Sequence, residues 1–353
     1  MDQHTKPSPQ AIVRARVDNP KMRERDLATQ LGISEAELVA AHCGDGVLRI
    51  EPRVNDLLLG LGAVGEVMAL TRNESVVHEK IGVYENVEPG EHAALVLGEQ
   101  IDLRVFPKAW KYGFAVEKRD GDDIRRSLQF FDAAGEAVHK VHLRPGSNLY
   151  AYQKLVARLQ SADQSPVISV APAPADPDAE VSGTPTDADA LRENWSKLTD
   201  VHQFFGMLRK LKLGRRQAVR MVGADYAWPL EAGAVPAMFD RAVAAQVPIM
   251  CFVGNRGCIQ IHSGPVSNIK PMGPWLNVMD ETFHLHLRTD HIAEVWAVRK
   301  PTKDGHVTSL ETYDSNGRMI IQFFGKRHEG EVERADWRAL AESLPRLAAP
   351  VAA

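Results

Sequence analysis

Apolar and polar positions change their period within each half of the chain, from helical spacing to strand spacing and back. "MRERDLATQL" and "EAELVAAHC" space apolar residues as helices do, with Ser34 as the N-cap of the second. The next runs are short and β-rich: "GEVMALTR", "SVVHEKIGVYENV", "IDLRVFPKAWKYGFAVEK" and "RSLQFFDAAGEAVHKVHL". "DAAG", and later "DSNG", supply hairpin-turn chemistry. "LYAYQKLVARLQ" and "ADWRALAESLPRL" return to helical spacing. Strand runs at regular intervals, without helices among them, predict antiparallel sheet. The expected class is therefore α+β, with helices around a large antiparallel sheet in each half.

The pattern repeats. A shift of 182 residues lays Asn73 on Asn255, Gly82 on Gly264, Asn86 on Asn268, Leu103 on Leu285, Asp132 on Asp314 and Gly135 on Gly317. This register runs without a gap from about residue 67 to about 143. Upstream the shift becomes 180: Leu31 meets Leu211, Asp45 meets Asp225 and Glu51 meets Glu231. A tandem duplication accounts for both. Residues 162–190 are rich in Ala, Pro and Asp and lack periodicity, the composition of a flexible linker. The expected division is a repeat half at 1–161, a linker, and a second repeat half at 191–353.

Composition narrows the possibilities. With 44% hydrophobic and 25% charged residues, the chain has the make-up of a globular protein that builds its own core. Three cysteines, Cys43, Cys251 and Cys258, lack the spacing of a zinc site and suit a reducing compartment. A net charge of −4 without like-charge blocks speaks against general nucleic-acid binding. No apolar run approaches the length of a membrane span, and "MDQHTKPSPQ" has no signal core, so a cytoplasmic location without membrane insertion is expected.

The candidate chemistry lies in "DVHQFFGMLRK". His202 precedes Phe204 and Phe205, and Arg209, Lys210, Lys212, Arg215 and Arg216 follow. In the first half Met22 stands at the place of His202, and Glu24-Arg25 at that of Phe204-Phe205, so the repeat itself does not require the histidine. Imidazole, an aromatic wall and nearby cations suit a flat apolar ligand with carboxylates, and imidazole is a usual axial ligand of haem iron. A half-buried helix histidine beside a solvated basic face fits the same residues. "LATQLGISEAEL" imitates a helix-turn-helix, but its second helix would turn Glu35 and Glu37 towards DNA, which favours a packing role. His284, His286 and His291 form a weak metal pattern, with His286 at the place of Arg104. No HExxH, GxSxG, CxxC or phosphate-binding Gly-rich loop is present.

The chain resembles the bacterial cytoplasmic hemin-degrading or haem-trafficking family, of the HemS and ChuS type, over nearly its whole length. The resemblance rests on "NPKMRERDLATQLGISEAELVAA", "IDLRVFPKAWKYGFAVE", "DVHQFFGML", "VWAVRKPTKDG" and "FFGKRHEG", in that order and spacing. It implies a duplicated α+β fold with one haem b between the halves. It makes His202 the proximal iron ligand, the single clear one, since Gln203 and Phe204 follow. It places Arg104 on the distal side, and Lys300 and Arg327 at the propionates, with Arg209 among the nearby cations. Where the family often carries an aromatic hydroxyl, this chain has Phe324. The implied function is haem binding in haem uptake and iron acquisition, carrying hemin from an inner-membrane importer to a haem oxygenase or other recipient. Opening of the haem ring with an external reductant is the alternative. A DNA-binding regulator working through the helix-turn-helix segment is a further one, with DNA the less expected partner.

Overall fold

The computed structural model describes residues 6–173, 187–328 and 330–347. The chain divides into two compact units. The N-terminal unit comprises Met1–Arg72, Glu79–Pro174 and Gly254–Gln260; the C-terminal unit comprises Asn73–His78, Ala175–Val253 and Ile261–Ala353.

In the N-terminal unit five antiparallel strands lie in the order Val47–Ile50, Tyr112–Asp120, Asp123–Phe131, Ala137–Leu143 and Val67–Arg72. A second antiparallel set joins Val87–Glu88, Ala94–Leu97 and Asp102–Val105. Helices Glu24–Leu31 and Glu35–Ala40 match the expected pair. Gly32 ends the first in the left-handed region at φ 67°, which a residue without Cβ adopts freely. Ser34 and Glu37 then form a reciprocal capping box that starts the second. That start is docked on the "DAAG" turn, where the Ala36 N–H donates to the Gly135 carbonyl at 3.1 Å. Helices Val54–Leu61 and Leu149–Leu159 bury leucines against the sheet.

The C-terminal unit repeats the plan. Its five strands run Ala227–Leu230, Glu294–Thr302, Gly305–Tyr313, Met319–Gly325 and Ile249–Gly254. A second set joins Ile269–Met272, Trp275–Met279 and Phe283–Arg288. Helices Ala234–Ala244 and Ala335–Glu342 cover one core, built on Phe239, Phe323 and Trp337. A second core, around Trp195 and Phe204, lies under the helices that lead into the unit.

The units do not follow the sequence halves, because each takes a short segment from the other half. Asn255 shows how this segment is held in the N-terminal unit. Its amide donates to the carbonyls of Arg72 at 2.9 Å and Val138 at 2.8 Å, while its Oδ1 accepts from the N–H groups of Gly257 and Cys258. Asn73 does the same work in the C-terminal unit: it donates to the Ile320 carbonyl at 2.8 Å and accepts from Ser75 and Val76. Ile320 is the repeat partner of Val138, so one bend, fixed by one asparagine, serves both copies.

The first residues of the expected linker pack on the N-terminal unit. Gln164 accepts from the Arg49 N–H at 2.9 Å and donates to its carbonyl, and Ile168 is buried in the N-terminal unit. The helix Ala188–Ser196 takes up its end. Residues 174–186 lie outside the described residues. Among the described residues, no helix is long and apolar enough to cross a membrane.

Candidate functional site

His202 stands in front of its helix rather than within it. Helix Gln203–Leu211 begins at the next residue, with His202 as N-cap in helical backbone conformation. The cause is local. The Asp200 carboxylate accepts from the His202 N–H at 2.7 Å, and the Gln203 side chain reaches back to accept from the Thr199 N–H at 3.0 Å. The turn is thus closed by side chains before the first helical hydrogen bond. The helix buries Phe204, Met207 and Leu208 and ends at Lys212 in the left-handed region.

The His202 ring is exposed, with 77% of its side-chain surface accessible. Its Nδ1 lies 2.8 Å from Asp200 Oδ1. Asp200 is held below its ordinary carboxylate range, first by the His202 N–H, then by the imidazole and by the charge of Arg327. A carboxylate on Nδ1 fixes the ring's orientation and leaves Nε2 as the free lone-pair nitrogen, the arrangement that commonly supports a metal-bound histidine. Nε2 has no partner among the described residues.

Under this helix lies a buried ionic cluster. Phe204 packs edge-on to Trp195 at 5.0 Å. Lys300 Nζ lies 4.7 Å from the centre of the Phe204 ring and the Arg215 guanidinium 5.4 Å from it. Arg215 also approaches Phe205, at 5.5 Å, which is 52% exposed. Both cations are anchored on Glu311. Arg215 donates to both of its oxygens, at 2.9 and 2.6 Å, and Lys300 donates at 2.8 Å. Ser309 and Tyr313 hydroxyls complete the shell at 3.0 and 2.7 Å. Burial would raise the Glu311 carboxyl, but the charges of Arg215 and Lys300 outweigh it and hold it far below its usual range. Burial, aided by Arg215, lowers Lys300 to about 8 although Glu311 opposes the shift. Gln322, with its amide oxygen turned towards the cluster, accepts from Arg215.

The other expected residues are placed as follows. Lys300, expected at the propionates, is buried, and its ammonium is engaged by Glu311 and Phe204. Arg327 follows the strand Met319–Gly325, donates to the Glu331 carbonyl at 3.4 Å, and acts on Asp200 through its charge. Phe324 lies on that strand opposite Met250 and packs against Phe252 at 5.0 Å. Arg209 is exposed in the last turn of the His202 helix. Arg104 belongs to the N-terminal unit, on Asp102–Val105, where it pairs with Asp102 and donates to the Leu103 carbonyl.

The weaker patterns are occupied otherwise. His286 Nδ1 meets Asn277 Oδ1 at 2.6 Å and His291 Nδ1 meets Ser75 Oγ at 3.0 Å. Among the described residues no group of three or more His, Cys, Asp or Glu could hold a metal ion. In the helix-turn-helix segment, Glu35 is buried against Lys140 and Arg72. The second helix is therefore packed into its unit rather than offered to a groove. Sequence reading missed Asp200 and Glu311. A carboxylate two residues before a histidine was the available signal for the first. Nothing local marks the second, which meets Arg215 from 96 residues away.

An exposed, carboxylate-oriented imidazole with an exposed phenylalanine and arginines nearby fits a flat metal-bearing ligand with acidic groups. The likeness to known proteins points the same way. The haemin-degrading HemS.ChuX domain matches residues 32–159 and again 212–344, one match per repeat. The hemin transport protein HemS of Yersinia enterocolitica is 41% identical over 327 residues, 92% of this chain and 94% of that protein. The crystal structure of holo-PhuS, a heme-binding protein from Pseudomonas aeruginosa, is 45% identical with a TM-score of 0.91, covering 97% of this chain and all of that one. ChuS, an E. coli heme oxygenase, is 38% identical with a TM-score of 0.84, covering 93% and 98%. The chain belongs to the haemin-degrading HemS.ChuX family.

Proposed function

We propose that this protein binds haem b as hemin in the cytoplasm and carries it in haem uptake and iron acquisition. The observation that carries the reading is the His202 imidazole, exposed and held through Nδ1 by Asp200 with Nε2 left for iron. Family members described as a hemin transport protein and a heme-binding protein support it. Bound haem would supply an iron centre with an open coordination position. The chain's own residues bind and orient it: His202 by its nitrogen, Phe205 by apolar contact, and cations by charge. Arg327, Arg209 and Lys300 are assigned to the propionates, and Lys300 would have to loosen from Glu311 to reach one. Phe324 offers no hydroxyl, so it contributes apolar contact only. Arg104 is assigned to the distal side on the family resemblance. An inner-membrane haem importer and a haem oxygenase are the proposed donor and recipient.

The test is titration of the apo-protein with hemin. One equivalent should saturate a Soret shift, and His202→Ala should weaken binding at least tenfold. Unchanged affinity and spectrum in that variant would refute the assignment.

A second reading, ring opening by the protein itself, is favoured by the likeness to ChuS, which is described as a heme oxygenase. Aerobic incubation of the hemin complex with ascorbate and catalase separates the two. Catalytic loss of the Soret band with release of a ring-opened product supports degradation; a stable band supports carriage.

A further inference from the structure

Helix Gln203–Leu211 carries a glycine in its interior that its own surroundings do not explain. Gly206 is exposed and lies in helical conformation, outside the left-handed region. A Cβ added to it would meet nothing within 4 Å among the described residues, so no neighbour excludes a side chain. Gly60, inside helix Val54–Leu61, is different: there a Cβ would meet Leu155 Cδ1 at 2.5 Å. A glycine in a helix interior is less favourable than an alanine, because it loses more backbone freedom on folding. The repeat does not require it either, since exposed Asp26 holds the same place on helix Glu24–Leu31.

The position relative to His202 supplies a reason. His202 has helical backbone angles, φ −70° and ψ −22°, so residue 206 stands one turn on along the same face. Side chains on a helix lean towards its N-terminus and cover the preceding turn. A side chain at 206 would therefore lie over residue 202. The imidazole could not swing clear without giving up Asp200, which holds its Nδ1 at 2.8 Å. With glycine in place the His202 side chain keeps 77% of its surface accessible. Phe205, 52% exposed, and exposed Arg209 flank the gap on the same helix.

We propose that Gly206 is a specificity-determining residue of the His202 site. The gap it leaves admits a broad, flat macrocycle to Nε2, where a side chain would admit only a small ligand. One helical turn rises about 5.4 Å. A porphyrin centred on Nε2 spreads past that distance and covers the next turn of the helix. Bare backbone at 206 lets its face settle there, with Phe205 and Arg209 at the flanks for apolar contact and for an acid group. The inference rests on the haem reading of His202. It adds the feature that selects a planar macrocycle over a bare metal ion or a small complex.

The experiment compares full-length apo-protein carrying Gly206→Ala or Gly206→Leu with the parent chain and with His202→Ala. Both Gly206 substitutions should raise the thermal midpoint of the apo-protein, since both place a better helix former at an open position. Hemin affinity should fall with side-chain size, slightly for Ala and at least tenfold for Leu, with loss of the parent Soret band in the Leu variant. A small probe separates a blocked plane from a disturbed imidazole. Diethyl pyrocarbonate should modify His202 at nearly the parent rate in both variants, read by mass spectrometry of the peptide that bears it. Parent-like hemin affinity and spectrum in Gly206→Leu would overturn the proposal, and a loss of binding in His202→Ala would then leave the haem reading standing. Parent binding that is insensitive to His202→Ala would sink that reading and this proposal together. A thermal midpoint that falls along with hemin affinity would assign Gly206 to the fold and refute its role in specificity. So would a His202 shielded from the reagent as fully as from hemin.

Discussion

The two units start an equivalent helix against an equivalent sheet, and they do it with opposite charges. Glu35 opens Glu35–Ala40 and is buried against Lys140, at 2.5 Å, and Arg72. At the same place in the repeat, Arg215 opens Arg215–Met221 and is buried against Glu311. The lysine shared by both copies differs as well. Lys118 pairs with Glu24, whereas Lys300 lies over Phe204, which holds the repeat position of Glu24. A charge taken out of water must be paired, and the duplicated fold preserves that requirement without preserving its sign. In the C-terminal unit the reversal has a consequence. Arg215 and Lys300 both press on Phe204, so the clamp that starts one helix also seats the helix that follows His202. In the N-terminal unit the clamp ties the helix start to Arg72 and Lys140 on the sheet.

The largest expected effects test this contrast. Glu35→Ala and Glu311→Ala should each cost about 3–5 kcal/mol of stability in urea unfolding, because each leaves buried cations without a partner. Glu311→Gln should also weaken hemin binding several-fold, while Glu35→Gln should leave it unchanged. Equal losses of hemin affinity from both would break the comparison.

Acid sharpens it. Burial would raise Glu35, but Lys140 and Arg72 outweigh it and bring the carboxyl down from 4.5 to about 2. Since the folded-state value is depressed, its contribution is complete above the unfolded value and is lost as pH falls from about 4.5 towards about 2. The contribution at stake is on the order of 3 kcal/mol. Unfolding midpoints measured at pH 7 and pH 3 should drop less in Glu35→Gln than in the parent chain.

Asp200→Asn should weaken hemin binding by about tenfold, the scale on which loss of a carboxylate behind a metal-bound imidazole is felt. It should leave the urea midpoint almost unmoved, because Asp200 is well exposed. A matched drop in stability would assign Asp200 to the fold instead.

The smallest effects concern the caps. Ser34 closes a capping box with Glu37, while its repeat partner Gly214 offers no side-chain cap to Arg215–Met221. Ser34→Ala should cost about 1 kcal/mol, and Gly214→Ser should gain a few tenths. Thermal midpoints of the two variants check the pair; a loss on Gly214→Ser would mean the two helix starts are not equivalent.

Local chemistry made much of the fold legible. Ser34, Glu37 and Gly32 mark a helix boundary by themselves, and Asp132 with Gly135 marks a turn. The repeat register followed from identities such as Asn73 with Asn255, and the structure supplies their reason, since each fixes the same bend. Long-range choices were not legible. That residues 254–260 belong to the N-terminal unit depends on contacts such as Trp110 Nε1 to the Gly257 carbonyl, 147 residues apart. Helices Val54–Leu61 and Ala234–Ala244 went unmarked, because their apolar runs carry no side-chain N-cap. At the candidate site His202 stood out, and its place at the helix start did not, since Asp200 and Gln203 close that turn by side-chain contacts. The burial of Lys300 was hidden for a similar reason: its partner Glu311 lies on the neighbouring strand.

The account's central claim is that His202 offers its Nε2 to haem iron. The most direct measurement is the Soret spectrum of hemin-loaded His202→Gly with and without free imidazole. The variant alone should bind hemin weakly with a shifted band, and imidazole filling the space should restore the parent band and affinity. A parent-like spectrum and affinity without imidazole would contradict the claim.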